Sequence, residues 1–409
     1  MSWMRIPDPD IEAPRRTLIA IRMVVTADNH LGRHYDRMPP QRLEQRRERL
    51  CHGFISAVDH AIQQEAHILL HLGDLFDSAE PRNLERQVVA HQLARLRGAG
   101  VRCVAIGGNH DTHRGRFARH RVSPLGAFAP LGALTLLGDP SSRGGLEVET
   151  LEIDGVRVAL GGLAFDPLAP AGSDPLDGLH WRPEADVAIL LMHGSLEGHV
   201  YPGAPEPIVR RRSVEGLKGV DLLLAGHVHR FATFRWGDTV VVIPGATEWM
   251  TFGEMDSTPG FAHIEVEEGG PPRVGHVEVE CQPRQRLTVH TSELGEDPGA
   301  ALRARVEELC DEETMVQLIL EGPISRRRYH ALKLREILEL GSARCFSLDM
   351  DTAGLYLEEV GAPGAARGGR LSQREELIRY ARERVEAASS PVERDLVEEA
   401  LHTILEAYR

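Results

Sequence analysis

The sequence predicts an α/β protein with mixed sheets, and three observations carry that prediction. Seven apolar runs have the length of a strand: Leu18–Thr26, His67–Leu72, Val101–Ile106, Val156–Gly161, Val187–Met192, Val220–Ala225 and Thr239–Ile243. They are rich in Val, Ile and Leu and nearly continuous, as befits strands buried on both faces, whereas half-exposed strands alternate. Amphipathic helical stretches separate the first three runs. One carries Leu50, Phe54, Val58 and Ile62; the other carries Leu84, Val88 and Leu96 and is stopped by Gly98 and Gly100. The third observation is Ile153-Asp154-Gly155-Val156, which reads as a hairpin turn and adds antiparallel pairing.

After about Arg284 the pattern changes. Arg286–Thr291, Met315–Leu320 and Arg344–Met350 read as strands, with helical segments near 300–311 and 327–340 between them. A main domain over 18–285 is therefore followed by a small α+β domain over 286–360. The segment 361–370 is rich in Gly and Ala and reads as a linker. Two helices should fill 371–409. Ser372 with Glu375 and Ser390 with Glu393 have capping-box spacing, and Pro391 suits a first helical position. One stripe is Leu377, Ile378, Ala381 and Val385; the other is Val392, Leu396, Ala400, Leu401 and Leu405. Such a pair has too little surface to bury itself alone and must pack on the parent chain or on a partner.

Composition narrows the classes. At 409 residues, 42% hydrophobic and 26% charged, the chain is an ordinary globular protein with no apolar stretch near the length of a membrane span. Residues 1–17 lack the apolar centre of a signal peptide. Cys51, Cys103, Cys281, Cys310 and Cys345 form no CxxC pair, so buried free thiols in a reducing cytoplasm are expected. A net charge of −14 argues against nonspecific coating of nucleic acid. It is compatible with an enzyme whose acidic pocket is reversed in sign by divalent cations. Lysine is confined to Lys218 and Lys333, and a GC-rich genome accounts for the arginine bias at least as well as phosphate recognition does.

The chemistry-bearing residues cluster where these strands end. Asp28-Asn29-His30 follows the first run, Gly73-Asp74-Leu75-Phe76-Asp77 the second and Gly108-Asn109-His110-Asp111 the third. His193-Gly194 follows the fifth run and Gly226-His227-Val228-His229 the sixth. Strand ends are where α/β sheets bind ligands. A lone DxH or HxH is weak evidence, since most such pairs are surface or core residues, but all five in order form a coherent set. Two divalent ions sharing a carboxylate need mixed oxygen and nitrogen ligands. Asp28, His30 and His229 suit one ion; Asn109, His193 and His227 suit the other; Asp74 bridges. The pair would acidify a bound water and clamp phosphate oxygens. His110 is not needed as a ligand and is assigned to transition-state charge or leaving-group protonation, with Asp111 orienting its ring. His34, His52, His60, His67, His71, His91 and His199 are read as structural or exposed.

These motifs resemble the calcineurin-like metallophosphoesterase superfamily. Thr26-Ala27-Asp28-Asn29-His30-Leu31-Gly32 with Gly73-Asp74-Leu75-Phe76-Asp77 looks like its SbcD branch, the nuclease subunit of the SbcC–SbcD repair complex. Gly245-Ala246-Thr247-Glu248, with Gly260-Phe261 later, is similar to the segment closing that family's nuclease domain. The resemblance covers about 20–285; beyond that it rests on domain order. It implies two mixed β-sheets sandwiched between helices, a DNA-contacting cap over 286–360, and a C-terminal helical pair that docks on an SbcC-like ATPase. It further implies a manganese-dependent 3′-to-5′ exonuclease and endonuclease on DNA, working as a homodimer. Iron and zinc also accept the ligand mix. Every ligand position finds its expected residue type, and His110 matches the catalytic histidine. Asp77 stands where some relatives carry a histidine that helps handle the phosphate. Some twenty residues precede the first strand where relatives begin almost at it, so 1–17 is read as an extension.

For DNA phosphates the preferred contacts are Arg114, Arg116, Arg119 and Arg121, which follow the GNHD motif; Arg210–Arg212 and Arg326–Arg328 read equally as solvated surface. Two rivals remain open on sequence. One is a metallophosphoesterase for a small phosphodiester or phosphomonoester. The other is a scaffold that recruits an ATPase through 371–409.

Overall fold

The runs of apolar residues become the parallel strands of two facing sheets. The computed structural model describes residues 20–36, 38–112, 123–138, 146–200, 206–267, 269–357 and 373–387, with a few positions between 394 and 405. In the first sheet β1 (Ala20–Thr26), β2 (Ile68–His71), β3 (Arg102–Ile106) and β4 (Thr135–Leu137) run parallel. β13 (Gly260–Glu267) pairs antiparallel with β1, and β14 (Arg273–Glu278) with β13. In the second sheet β6 (Val156–Leu163), β7 (Val187–His193), β10 (Leu222–Gly226) and β12 (Thr239–Ile243) are parallel. Antiparallel β5 (Glu147–Ile153) and β11 (Ala232–Trp236) form the edges, and the short strands β8 (Ser195–Leu196) and β9 (Ile208–Val209) pair with each other in a sheet of their own.

The period-2 direction of strand side chains divides each buried strand between two cores. Met23, Val25, Ile68 and Leu70 meet Ile189, Leu191, Leu222 and Leu224 between the sheets. Val24 and Leu69 turn outward to Leu50, Phe54 and Val58 of α1 (Pro40–Gln63) and to Leu93 of α2 (Asn83–Gly98). Leu190 and Leu223 turn to the opposite outer layer with Trp181 and Val214, the latter on α3 (Arg211–Gly216). Each such Leu or Val is worth about 1.5–3 kcal/mol of burial, so both faces are committed. The α2 stripe differs from expectation: Val89, Leu93 and Leu96 are buried, while Leu84 is 52% exposed. Glu85, fully buried against the Arg82 guanidinium, takes the inward place at the start of the helix. The Asp154-Gly155 hairpin forms with both residues at positive φ, as a primed turn requires.

The third sheet has its own core of Val289, Leu302, Leu318, Leu320 and Ile337. Its strands β15 (Arg284–His290), β16 (Met315–Ile324) and β17 (Ser347–Leu357) are all parallel. They are crossed by α4 (Pro298–Leu309), α5 (Arg326–Ala331) and α6 (Leu334–Arg344). The single helix expected over 327–340 divides because Lys333 adopts a left-handed φ of 50°, which ends one helix and starts the next. Arg328 closes this unit rather than facing solvent, donating to the carbonyls of Thr291 and Gly295. The expectation of free thiols fails for one pair. Cys310 and Cys345 sit at the C-caps of α4 and α6, which brings their Cα atoms to 4.7 Å, and they form a disulfide. Cys51, Cys103 and Cys281 remain free.

The helix α7 (Gln373–Ala387) occupies the first half of the expected C-terminal pair, with Ala381 buried and Tyr380 61% exposed. The N-terminal extension, the linker 361–370, the caps at Ser372 and Ser390, and Arg114, Arg116, Arg119 and Arg121 lie outside the described residues. Among the described residues no helix is long and apolar enough to cross a membrane.

Candidate metal centre

The five motifs converge at the C-terminal ends of β1, β2 and β3 in one sheet and β7 and β10 in the other. The backbone is bent to aim them. Seven described non-glycine residues have positive φ, and four of them are Asp28, His30, Asp74 and His227. Non-glycine residues rarely hold that conformation, and such strain concentrates where a site over-determines it. Neighbouring loops and the two sheets must also approach closely: a Cβ on Gly108 would overlap the Asp74 carboxylate, and one on Gly226 would overlap the Leu72 carbonyl of the facing sheet.

Three overlapping clusters result. Asp28, His30 and His229 offer ligand atoms within 4.8 Å of one another, as do Asp28, Asp74 and His193, and His30, Asp74 and His110. Asp74 spans both halves, with Oδ2 3.8 Å from His30 Nε2 and 3.4 Å from His193 Nε2. Asp28, assigned to one ion by sequence, reaches residues of both halves. Asn109 Oδ1 joins the second half, 2.9 Å from His193 Nε2 and 3.1 Å from His227 Nδ1.

Whether cations fit follows from the other ring nitrogens. His193 Nδ1 lies 2.7 Å from the Leu72 carbonyl, which can only accept, so Nδ1 carries the proton and Nε2 offers a lone pair. His30 Nδ1 faces the Asp77 carboxylate at 3.0 Å, and His229 Nδ1 faces Glu254 at 3.2 Å. Their Nε2 atoms then face each other as lone pairs at 3.3 Å, beside Asp28. His227 is reversed: Nε2 donates to Glu206 at 2.9 Å, leaving Nδ1 toward Asn109. Acceptors turned on one another are stable only around positive charge, and the donor set is that of borderline divalent ions.

Without a cation, the same carboxylates would hold protons on the His193 and His229 rings, and a bound ion would have to displace them. Burial opposes charge on His193, but the Asp74 carboxylate outweighs it and pushes the imidazole up to about 9. Burial also opposes the charge of Asp74, yet His193 and His110 hold its carboxyl well below the usual range. Burial lowers His30 despite its bond to Asp77. At the same pocket burial works against Glu254, but His229 draws it down to about 2.

Two assignments change. Asp111 does not orient His110: its carboxylate accepts from the backbone N–H groups of Phe76 at 2.9 Å, Leu75 at 3.2 Å and Gly108 at 3.3 Å. It ties the loop after β2 to the loop after β3, and burial, then Asp74, push it up to about 7. Asp77 takes the orienting place, its backbone oxygen lying 3.1 Å from His110 Nδ1. Its carboxylate, expected beside the phosphate, is engaged by His30 and by Arg33 Nη1 at 3.1 Å. Sequence reasoning missed Glu206 and Glu254, which no spacing distinguishes among 61 acidic residues. It also missed the role of Asn29, which accepts from His71 at 2.7 Å and donates to Thr247 at 2.8 Å. That link pins the loop carrying Asp28 and His30.

Comparison with known proteins places this geometry. The calcineurin-like phosphoesterase family model matches residues 21–231, which contain all seven candidate ligands and His110. A protein of Methanopyrus kandleri named DNA double-strand break repair protein Mre11 is 29% identical over 296 residues, covering 70% of this chain and 62% of that one. The protein of the same name from Sulfolobus acidocaldarius is 22% identical over 316 residues, covering 75% of this chain and 77% of that one. Among solved structures, an archaeal phosphodiesterase shares 11% identity at a TM-score of 0.32, covering 63% of this chain and 99% of that one. The family match spans more than half of the chain and coincides with the metal centre; the chain belongs to the calcineurin-like phosphoesterase family and is a metal-dependent hydrolase.

Proposed function

We propose that this chain is a two-metal DNA nuclease of the SbcD type that processes DNA ends together with an SbcC-like ATPase. The observation that carries the hydrolytic part is the set of ring-nitrogen lone pairs and carboxylates turned inward on two adjoining points. Support for DNA comes from the relatives named DNA double-strand break repair proteins. Their similarity covers 70% and 75% of this chain, more than the phosphoesterase match at 21–231.

Asp28, His30 and His229 would hold one ion and Asn109, His193 and His227 the other, with Asp74 between them. Two divalent ions there, manganese by preference, would supply Lewis acidity and lower the pKa of a water. The remaining work belongs to the chain. Asp77 and Glu254 keep His30 and His229 in the Nδ1–H tautomer. His110 stands edge-on to His30 with ring centroids 4.6 Å apart and is 23% exposed. From there it can protonate the departing oxygen while the Asp77 carbonyl steadies Nδ1. The cap and the arginines after the GNHD motif would contact the DNA backbone. A homodimer and docking of the ATPase on the C-terminal helices complete the reading, and truncation at Gly361 should abolish copurification of that ATPase while sparing hydrolysis.

The test is degradation of end-labelled linear duplex and single-stranded DNA by the purified chain with Mn²⁺, beside H110A. Cutting by the wild type that is lost in H110A and under chelation is expected. Hydrolysis of a chromogenic phosphodiester with no attack on DNA would overturn the DNA reading and leave the phosphoesterase.

A further inference from the structure

The turn between β12 and β13 is gripped from two sides. From α1, the fully buried Arg46 donates to the Trp249 carbonyl at 2.7 Å and pairs with the Glu248 carboxylate. From β15, the first strand of the third sheet, Arg284 also donates to the Trp249 carbonyl and lies 5.2 Å over the Phe252 ring. Arg286 on the same strand donates to the Phe252 carbonyl at 2.5 Å. Two residues on is Glu254. One carboxylate oxygen accepts from the Met250 N–H at 2.7 Å; the other accepts from the Thr251 hydroxyl at 3.1 Å and faces His229 Nδ1 at 3.2 Å. The arginines of β15 thus hold the backbone of the same short turn whose Glu254 contacts one candidate metal-ligating imidazole.

We propose that Glu254 is a positioning residue for the ion held by Asp28, His30 and His229, and that the cap sets its position through Arg284 and Arg286. This rests on the two-ion reading. Glu254 fixes the tautomer and the rotation of His229, and a carboxylate partner makes an imidazole a stronger ligand. Coupling of this kind is reciprocal, so what holds the cap strengthens this ion, and the ion steadies the cap. At the second ion, His193 is instead anchored by the Leu72 carbonyl inside the sandwich.

The test is Mn²⁺ binding to the full chain, followed by calorimetry and electron paramagnetic resonance, in the wild type, E254A, E254Q and R286A. E254A should weaken one of two ions by roughly 10–100-fold and leave the other unchanged. E254Q, whose amide oxygen can still accept from Nδ1, should lose less. R286A alters an exposed side chain outside the ligand set, so it should fold normally and weaken the same ion in the same direction. Unchanged binding in E254A, or equal weakening of both ions, would overturn the positioning role. Wild-type affinity in R286A, with E254A impaired, would overturn the coupling to the cap. A wild type that binds no ions would remove the two-ion reading itself, a result told apart because it needs no variant.

Discussion

The two halves of the metal centre are built from similar residues but are held differently. In one half, His30 and His229 are backed by the carboxylates of Asp77 and Glu254. In the other, His193 is backed by the neutral Leu72 carbonyl at the end of β2, and only His227 has a carboxylate, Glu206. A side-chain carboxylate can move with its loop, while a carbonyl at the end of a buried strand cannot. On the proposal above, the first half answers to the third sheet through Glu254, while the second is tied to the sandwich at His193 and to a loop only through Glu206. Asp74 is common to both, so its loss cannot discriminate between them.

That ranking orders the consequences of mutation. D74A should abolish hydrolysis and the binding of both ions, read by DNA degradation and by Mn²⁺ titration; retention of either ion would contradict the bridging role. Next, H110A should lower kcat by roughly 10²–10⁴-fold while leaving both ions bound, since His110 is assigned to proton transfer. L70A, which empties a fully buried position between the sheets, should cost about 2–5 kcal/mol in a denaturant titration without changing metal affinity in the folded protein. E206A should weaken the ion near Asn109 by about 10–100-fold and spare its neighbour, the mirror image of E254A. If E206A and E254A affected the same ion, the division of the site would be wrong.

Acid should act more gradually, over several pH units. His71, buried and bonded to Asn29, is pushed down by burial from 6.5 to about 3. A histidine whose folded pKa is depressed binds fewer protons folded than unfolded. Its contribution is complete above 6.5 and is lost as pH falls toward 3. Unfolding midpoints should therefore drop across that window, and less steeply in H71Q, whose amide can still donate to Asn29.

Much of this was legible in the sequence because buried parallel strands and metal ligands write strong local signals. Continuous Val, Ile and Leu runs such as Val187–Met192 can hardly be anything but strands covered on both faces, and the ligands lie within a few residues of their ends. Spacing fails where the partner comes from far along the chain. Glu254 meets His229 through a turn that neither residue announces, and Asp111 spends its carboxylate on three backbone N–H groups that no motif reveals. The antiparallel place of β13 in the first sheet was not readable either, because Gly260–Glu267 pairs with β1 more than 200 residues away. Cys310 and Cys345 were unreadable as a pair for a similar reason: only the ends of α4 and α6 bring them together.

The most direct measurement is a crystal of this chain soaked in Mn²⁺ and recorded for anomalous scattering. Two peaks about 3.5–4 Å apart are predicted, one among Asp28, His30 and His229 and one among Asn109, His193 and His227, with Asp74 touching both. A single peak, or peaks away from the ends of β1, β2, β7 and β10, would contradict the account.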